Sequence, residues 1–541
     1  MTALRLLAGL GPLGLAALLL LAVLWTQMRF VSPTNFFGYD EWTVLSLVSA
    51  GVIDIPYANR PLALLWALPV PFIAGASFLP FVILGWVYAW LSAVLVARIT
   101  LRLMPGRPLL AFLAAAFVLV WAPTDRARLS LVESALYWGI TFGMTLSLAT
   151  FVESWQRRSV PLLGLAGALA VVSGRCYEAT LPVLMLCPLL LLVTAERPGR
   201  ALLQWACVFE AFVALALALA MIPMLFQSQG LAYQESYGLD TELGPMLVRL
   251  ARQYGLHFGA LLAPVPQEFA DHAAPVAVAL SVFLGAALLW SSRVRSEGGR
   301  GDLRILLGVA FLIAGAGYAA LVVSGRVPGA WRAQFLSAPG AGWLLAGLAV
   351  AAGEHSRRLG KLVTLGLAVW VVVSGTARSS AMQLSWNSSS FYSRQTRLLS
   401  DLVAAVPDTP PQTLIVLLDD GRAWRANFSF HHAVEYLYRG HATGLVAGAR
   451  PGMLPAYFTP QGVVSEPLPV VRGPWRTGVR LFRYDQVIVV RHGPDGAAVL
   501  EDWPPELPPL PAGSSYRPAR RLRSVAESID ERRALRSLEV F

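Results

Sequence analysis

The sequence predicts a polytopic α-helical membrane protein that ends in a small α/β domain outside the membrane. Of its 541 residues, 56% are hydrophobic and only 14% are charged, and the mean hydropathy is +0.58. A soluble globular chain carries about 25% charged residues. Long apolar runs continue to about residue 377, after which polar residues and prolines dominate. We therefore expect a transmembrane domain at 1–377 and an extracytoplasmic domain at 378–541.

A membrane-spanning helix needs about 20 largely apolar residues. Runs near this length predict about eleven transmembrane helices, at residues 6–26, 77–97, 108–123, 135–152, 160–174, 178–195, 201–226, 273–291, 304–323, 337–352 and 361–377. The first run has no clear small-x-small cleavage site, so we interpret it as a retained anchor helix rather than a signal peptide.

The positions of the basic residues indicate the orientation, because cytoplasmic loops are enriched in arginine and lysine. If the N-terminus is cytoplasmic, the inner loops hold fifteen basic residues: Arg5, Arg98, Arg102, Arg107, Arg157, Arg158, Arg197, Arg200, Arg293, Arg295, Arg300, Arg304, Arg357, Arg358 and Lys361. The outer loops hold nine over a longer sequence: Arg29, Arg60, Arg126, Arg128, Arg175, Arg249, Arg252, Arg326 and Arg332. This difference predicts a cytoplasmic N-terminus and an extracytoplasmic C-terminus.

The scattered arginines also bear on partners and source. The net charge is +11, but the charge lies in short loops between apolar runs, so we do not expect nucleic acid as a partner. Lys361 is the only lysine, a bias typical of GC-rich bacterial genomes. We therefore expect the protein in a bacterial cytoplasmic (inner) membrane, with membrane lipids around it.

Two outer loops, 27–76 and 227–272, are longer than connectors need, and loops of such length usually carry function. Three stretches within them look amphipathic or apolar and are expected to lie in the membrane interface as helices or short segments: Trp42–Ile53, Pro61–Ile73 and Thr241–Leu262.

The C-terminal domain has its own secondary-structure signals. They predict a helix at 391–406 and strands at 413–418 and 486–490. A turn at 493–496 then leads into a third strand at 497–500. The tail after about residue 503 is rich in proline and arginine, and we expect it to be partly disordered.

The first outer loop contains the segment Gly38-Tyr39-Asp40-Glu41-Trp42, followed by Asn59-Arg60-Pro61-Leu62. An acidic pair just after the first transmembrane helix, with Arg-Pro before the second, resembles GT-C-type glycosyltransferases. The protein mannosyltransferases, aminoarabinose transferases and phage-type glucosyltransferases are the nearest in pattern. The resemblance implies a GT-C-like membrane fold, a donor sugar on a polyprenyl phosphate, and Asp40 as the general base on an acceptor hydroxyl.

The chemistry of such a transfer agrees with that role. Displacing a phosphate from an anomeric carbon requires the attacking hydroxyl to lose its proton, and one carboxylate at the membrane surface can accept it. Glu41 could orient the acceptor, and Tyr39 and Trp42 offer aromatic surfaces for a sugar ring. The alternative is that Asp40 and Glu41 only cap a helix beginning near Trp42, where acids are favoured.

Arginines on the outer side are candidates to bind the donor phosphate, because a guanidinium can contact phosphate oxygens bidentately. We predict this role for Arg60, Arg175, Arg326 and Arg332. Arg332-Ala333-Gln334-Phe335, with Pro339 after it, resembles a late arginine-aromatic-proline segment of GT-C members, although here the aromatic residue is not adjacent to the arginine. The alternative for each arginine is snorkelling or a structural ion pair.

Two further groups of ionisable residues lie at outer turns. Arg175 and Glu178 interrupt an apolar hairpin and are expected to face a cavity, with Glu178 as a substrate contact; a pair three apart on one helix could also be a purely structural bridge. The second group, which we interpret as a solvated turn, is Asp125, Arg126, Arg128 and Glu133.

Neither a metal site nor a nucleotide site has a strong signature. His431, His432, Glu435 and His441 suggest zinc by residue type, but their spacing matches no known motif, so we predict no metal ligand. No Walker loop precedes Lys361. By resemblance, fixed charge alone could stabilise the leaving phosphate, whereas oligosaccharide-transferring relatives also use a divalent cation, so a cation cofactor stays open.

Together these features predict an inverting glycosyltransferase at the outer face of the cytoplasmic membrane. Its partners would be a polyprenyl-phosphate sugar donor and a glycan, lipid or protein acceptor. Two alternatives stay open: a lipid or glycan transporter with Arg175 and Glu178 on its path, and a non-catalytic scaffold whose periplasmic domain binds a partner.

Overall fold

The computed structural model describes residues 11–28, 30–38, 40–51, 60–74, 78–194, 199–226, 242–265, 273–295, 301–323, 334–356, 359–424, 426–447, 456–465 and 480–518. The chain divides into two compact units. The helical unit consists of Met1–Val31, Leu84–Leu129 and Ser134–Ser385. The mixed unit consists of Ser32–Ile83, Ser130–Glu133 and Trp386–Phe541. The compositional change at residue 377 falls inside a helix that runs from Gly360 to Ser389.

The described helices, in chain order, are α1 Pro12–Met28, α2 Asp40–Ser49, α3 Val70–Ala74, α4 Leu79–Leu103, α5 Pro108–Val120, α6 Glu133–Gln156, α7 Val160–Cys176, α8 Leu181–Met185, α9 Arg200–Phe226, α10 Leu243–Phe258, α11 Ala273–Arg293, α12 Leu303–Gly317, α13 Ala319–Val322, α14 Gln334–His355, α15 Gly360–Ser389, α16 Tyr392–Ala405 and α17 Asn427–Leu437. Short 3₁₀ turns lie at Leu65–Ala67, Arg126–Leu129, Glu178–Thr180, Cys187–Val193, Gly259–Leu261 and Tyr484–Gln486.

Local chemistry sets several of these boundaries. Before α7, the Ser159 hydroxyl accepts a hydrogen bond from the Leu162 amide, and Pro161 occupies the first turn, where no amide partner is needed. Before α12, the Asp302 carboxylate accepts hydrogen bonds from the amides of Arg304 and Ile305. At the other end of α7, Tyr177 adopts an extended conformation and stops the helix.

The predicted transmembrane segments all coincide with apolar helices. Six helices in the described part of the chain are long and apolar enough to cross a membrane: Leu79–Leu103, Glu133–Gln156, Arg200–Ile222, Ala273–Arg293, Gln334–His355 and the helical stretch from Gly360. The other five are shorter: Pro12–Met28, Pro108–Val120, Val160–Cys176, Glu178–Val193 and Leu303–Gly317. The membrane class is thus confirmed, while the count of eleven spans and the orientation stay predictions.

The described part of the mixed unit contains two sheets. The larger has the strand order β2-β1-β6-β7, in which β1 Thr413–Asp419 pairs in parallel with β2 Ala442–Val446 and β6 Val487–Gly493. The antiparallel strand β7 Gly496–Val499 follows a turn at Gly493–Gly496, as predicted. The smaller antiparallel sheet has the order β3-β4-β5, with strands Ala456–Thr459, Gly462–Ser465 and Arg480–Phe482.

The parallel strands β1 and β2 are buried along almost their whole length, as parallel strands usually are, whereas the edge strand β7 is partly exposed. Alternate residues of β1, Leu414, Val416 and Leu418, enter a core with Val487 and Val489. Helix α17 packs against β2 so closely that a Cβ on Gly444 would lie 2.6 Å from the Phe430 ring. The predicted helix and strands of this domain are confirmed as α16, β1, β6 and β7, whereas α17 and β2 were not predicted.

One sequence expectation is wrong in this unit. The amphipathic stretch that begins at Trp42 is not a free interfacial helix, because the apolar side chains of α2 are buried and Trp42 packs against Trp424 and Tyr436. The first part of the tail packs on the domain: the Trp503 ring lies against Tyr484, and the Tyr516 hydroxyl accepts a hydrogen bond from the Val489 amide. Residues 519–541 lie outside the described residues, so partial disorder of the tail stays a prediction.

Candidate functional site

The segment 35–42, here called the acidic turn, leads into helix α2 and includes the first residues of that helix. Gly38 adopts a φ of +80°, which non-glycine residues rarely do. A Cβ at this position would also lie 2.8 Å from the Gln395 Nε2 and 2.9 Å from the Phe391 Cβ. Both the backbone conformation and the space therefore require glycine at position 38.

Glu41 holds the turn together from inside. Its side chain is fully buried, and its two carboxylate oxygens accept hydrogen bonds from the backbone amides of Phe37 and Gly38, the latter at 3.1 Å. Both amides precede the helix, so Glu41 does not simply cap its N-terminus. A buried carboxylate that is satisfied in this way positions the backbone around it.

Asp40 differs from its neighbour. It is the first residue of α2 and is only partly buried. A negative charge at the start of a helix is favoured by the helix dipole. The structure therefore divides the acidic pair into one buried residue that shapes the turn and one that reaches the surface of the mixed unit.

Gln395 and Ser429 fasten the turn to the C-terminal part of the mixed unit. The Gln395 amide nitrogen donates to the carbonyls of Gly38 and Ala423, each at 3.1 Å, and its oxygen accepts from the Trp42 indole nitrogen at 2.9 Å. Ser429 on α17 donates its hydroxyl to the Gly38 carbonyl at 3.1 Å. Neither residue was predicted. Gln395 was detectable in the sequence as the polar member of a face of α16 that also carries Leu398, Leu399 and Leu402.

Trp42 is not the sugar platform that the sequence suggested. Its ring is fully buried and packs edge-on against Phe36 and Phe78, at centroid distances of 5.9 and 5.2 Å. An aromatic platform needs an exposed face. The interpretation of Trp42 as a substrate contact is corrected to a packing role, and the other aromatic candidate, Tyr39, lies outside the described residues.

The candidate phosphate-binding arginines fall in three places. Arg60 lies in the mixed unit, immediately before the turns that begin at Pro61, and is partly buried. Arg175 lies at the end of α7, where its guanidinium donates to the Leu219 carbonyl and interacts electrostatically with Glu178. Because α7 ends at Cys176, the pair does not lie on one continuous helix, as the alternative of a structural bridge assumed, and the cavity-facing role stays a prediction. Arg326 and Arg332 are outside the described residues.

Within the helical unit, Phe335 brings together two segments that the sequence singled out separately. Phe335 lies at the start of α14, three residues after Arg332 in the sequence. Its ring stacks on Tyr137 at 4.5 Å and approaches Tyr177, which stands between Arg175 and Glu178, at 6.2 Å. The start of α14 and the Arg175–Glu178 segment therefore meet at one place.

The turn at Asp125 adjoins the same point and is not solvated, contrary to the sequence expectation. Asp125 is fully buried and accepts hydrogen bonds from the amides of Ala127, Arg128 and Phe335. Burial raises the pKa of Asp125 to about 7, although the Arg128 charge and these amides lower it. Arg128 is also buried and donates to the carbonyls of Leu119 and Val120 at the end of α5.

Among the described residues, one group of side chains could ligate a metal: His431, His432 and Glu435 on α17. The fourth residue suspected from composition, His441, is exposed and lies outside this group.

Two of the solved structures that match this chain are oligosaccharyltransferases. Archaeal oligosaccharyltransferase AglB from Archaeoglobus fulgidus, in complex with an inhibitory peptide and a dolichol-phosphate, matches with a TM-score of 0.41 and 13% identity, over 81% of this chain and 64% of that one. An A. fulgidus oligosaccharyltransferase in complex with Zn and sulfate matches with a TM-score of 0.33 and 12% identity, over 80% and 62%. This chain thus spans less than two thirds of the length of either protein. No protein-family model and no curated protein matches the sequence.

At these identities and TM-scores the likeness carries no functional conclusion, because one fold can serve unrelated activities.

Proposed function

We propose that the protein is a GT-C-type glycosyltransferase that moves a sugar from a polyprenyl-phosphate donor to an acceptor hydroxyl. The division of roles within the acidic pair is the observation that carries this proposal. Glu41 is buried and bonded to two backbone amides, while Asp40 is partly exposed at the start of α2. A carboxylate held by a rigid turn at a surface is suited to act as a general base.

In the proposed reaction, the acceptor oxygen attacks the anomeric carbon and the bond from that carbon to the phosphate oxygen breaks. The acceptor proton passes to the Asp40 carboxylate, and the polyprenyl phosphate leaves with its negative charge. A single displacement of this kind inverts the anomeric configuration. Glu41 acts through the backbone of residues 37 and 38, so it is a positioning residue rather than a catalytic one.

The leaving phosphate needs positive charge. We assign this role to Arg60, Arg326 and Arg332, each of which could donate two hydrogen bonds to phosphate oxygens. Arg175 is the weakest of the four candidates, because its guanidinium donates to the Leu219 carbonyl and interacts with Glu178. Fixed charge could suffice without a metal, and a divalent cation would serve the same purpose.

The site would work at the outer face of a bacterial cytoplasmic membrane. The fifteen basic residues of the inner loops against nine in the outer loops support this orientation. A polyprenyl phosphate would reach the site from the bilayer, and a glycan, lipid or protein acceptor would reach it from the aqueous side or the membrane.

The proposal is tested by donor profiling with the full-length protein in nanodiscs. A panel of radiolabelled polyprenyl-phosphate sugars is incubated with the protein and a mixed acceptor preparation, and loss of label from the lipid is followed. We expect wild-type protein to release sugar from at least one donor, and Asp485→Asn, at an exposed acid of the mixed unit, to behave like wild type.

Movement of intact donor across a sealed liposome membrane, without cleavage, would instead identify a transporter. Binding of donor or acceptor with neither cleavage nor movement would identify a scaffold. Either result would overturn the proposal.

A further inference from the structure

Helix α17 presents three metal-ligating side chains at one place in the mixed unit. The His431 Nε2 lies 3.1 Å from one carboxylate oxygen of Glu435, and the His432 Nδ1 lies 3.4 Å from the other. One ligand atom from each residue can be chosen so that all three lie within 4.8 Å of one another.

These separations are close to what a tetrahedral zinc ion requires. Bonds of 2.0–2.1 Å from zinc to histidine nitrogen or carboxylate oxygen place neighbouring ligand atoms about 3.3–3.4 Å apart. Two imidazoles and one carboxylate also form a ligand set that zinc accepts, with a fourth position left for water. The two histidines face different oxygens of Glu435, so side-chain rotations would have to bring both nitrogens and one oxygen from within 4.8 Å to about 3.4 Å of one another for an ion to bind.

The surroundings favour a prepared site. Thr443 on β2 places its hydroxyl 2.6 Å from the His431 Nδ1 and 3.3 Å from its Nε2. This close contact limits rotation of the His431 ring and so helps to hold its orientation, as outer partners of metal-bound histidines do. His432 is buried, with 6% of its side chain exposed, whereas His431 and Glu435 are 17% and 20% exposed, which leaves a route for an ion.

Arg480 is the competing partner. Its Nη1 lies 3.5 Å from the Glu435 carboxylate, and 44% of its side chain is exposed. Without a metal, Arg480 pairs with this carboxylate. An exposed arginine pair of this kind contributes little stability, so Arg480 can move aside when an ion binds.

We propose that His431, His432 and Glu435 form a binding site for a divalent transition metal of the zinc type, with Thr443 orienting His431. The ion would tie neighbouring positions of α17 to one another. Because Ser429 on the same helix donates to the Gly38 carbonyl, a metal here would also stabilise the part of the mixed unit that holds the acidic turn. The site does not depend on the proposed glycosyl transfer.

The test uses the full-length protein in detergent after metal is removed with a chelator. Zn²⁺ is titrated in competition with a chromophoric chelator, and Co²⁺ serves as a spectroscopic probe of tetrahedral geometry. Wild type is expected to bind one Zn²⁺ and to give the absorption of tetrahedral Co²⁺. His431→Gln and Glu435→Gln should lower the affinity more than Thr443→Val, for which the loss should be about 10–100-fold.

Two control variants complete the design. His441→Ala removes an exposed histidine outside the group and should bind as wild type does. Arg480→Ala removes the competing cation and should bind at least as tightly. No Zn²⁺ bound by wild type would overturn the site. Equal affinities in His431→Gln, Glu435→Gln and His441→Ala would do the same, as would lost binding in Arg480→Ala. Thermal melts confirm that each variant is folded.

Discussion

The backbone amide of Gly38 donates a hydrogen bond of 3.1 Å to the side-chain carboxylate of Glu41, three residues ahead in the chain. The Phe37 amide donates to the other oxygen of the same carboxylate. The Glu41 carboxylate therefore lies inside the fold, where it binds the backbone of the turn. Asp40, beside it, begins α2 at the surface of the mixed unit, so the acidic turn has a buried support and an accessible acid.

The first prediction concerns that support. Glu41→Gln keeps the size of the side chain but leaves one acceptor oxygen for two amides and brings an NH₂ group towards one of them. Because a buried, charge-assisted hydrogen bond is lost, unfolding of the mixed unit should become easier by about 1.5–3 kcal/mol, measured by thermal or denaturant unfolding in detergent. Glu506→Gln, at an exposed pair with Arg491, is the control and should change little. Equal stability of wild type and Glu41→Gln would show that the two amide contacts do not contribute to the free energy of unfolding.

The second prediction separates two reasons for glycine at position 38: its left-handed backbone conformation and the lack of room for a Cβ atom. Gly38 and Gly51 both have positive φ, at +80° and +73°, but a Cβ on Gly51 would meet no atom within 4 Å, whereas one on Gly38 would collide with Gln395. Gly51→Ala should therefore cost only the left-handed backbone penalty of about 1–2 kcal/mol. Gly38→Ala should cost clearly more, and it should cost more in the wild-type chain than in a chain that already carries Gln395→Ala, where the Nε2 atom that the new Cβ would meet is absent. Thermal unfolding measures all three; equal losses at the two glycines would contradict the close approach of Gln395.

The third prediction follows from the raised pKa of Asp125, about 7 against an ordinary value of 3.8, caused by burial. Since the folded protein holds this proton more tightly than the unfolded chain, Asp125 contributes stability at low pH that is lost as the pH rises from about 4 to 7. Asp125→Asn cannot titrate. The unfolding temperature of wild type should fall relative to Asp125→Asn across this range in detergent. A difference between them that stays constant or grows in favour of wild type would contradict a pKa of Asp125 that is raised by burial.

The fourth prediction tests the orientation by cysteine labelling in intact cells. Cys207 is exposed and is first replaced by serine, whereas Cys176 and Cys187 are buried. A cysteine at Asp495, exposed in the turn between β6 and β7, should react with a membrane-impermeant maleimide from outside. A cysteine at Arg295, an inner-loop position, should react only after the membrane is broken. The opposite pattern would place the C-terminal domain in the cytoplasm and remove the outer-face assignment.

The transmembrane helices and much of the C-terminal domain could be predicted because their signals are local. Each apolar run coincides with a helix, and the apolar run after Thr413 and the turn at Gly493 predict β1, β6 and β7. A long apolar run has one stable solution in a bilayer, a helix that satisfies its own backbone hydrogen bonds.

The features that the sequence did not reveal depend on contacts between distant residues. Gln395 lies 357 positions from the Gly38 carbonyl that it contacts, and Asp125 is buried because the start of α14 packs over it. Trp42 looked like a sugar platform by residue type, but Phe36, Phe78 and Gln395 enclose it. Tertiary packing decides which polar or aromatic side chain is exposed, and neither periodicity nor motif spacing contains that information.

The central claim is that Asp40 is the general base, and sugar transfer by Asp40→Asn in nanodiscs tests it most directly. The substitution preserves shape and most hydrogen bonding while removing the basic oxygen, so folding and donor binding should be retained. Transfer should fall by about 10²–10⁴-fold, with Glu41→Gln losing less activity and more stability, and with Asp485→Asn unchanged. If Asp40→Asn transfers sugar as fast as wild type does, Asp40 is not the base and the acidic turn is only a structural element.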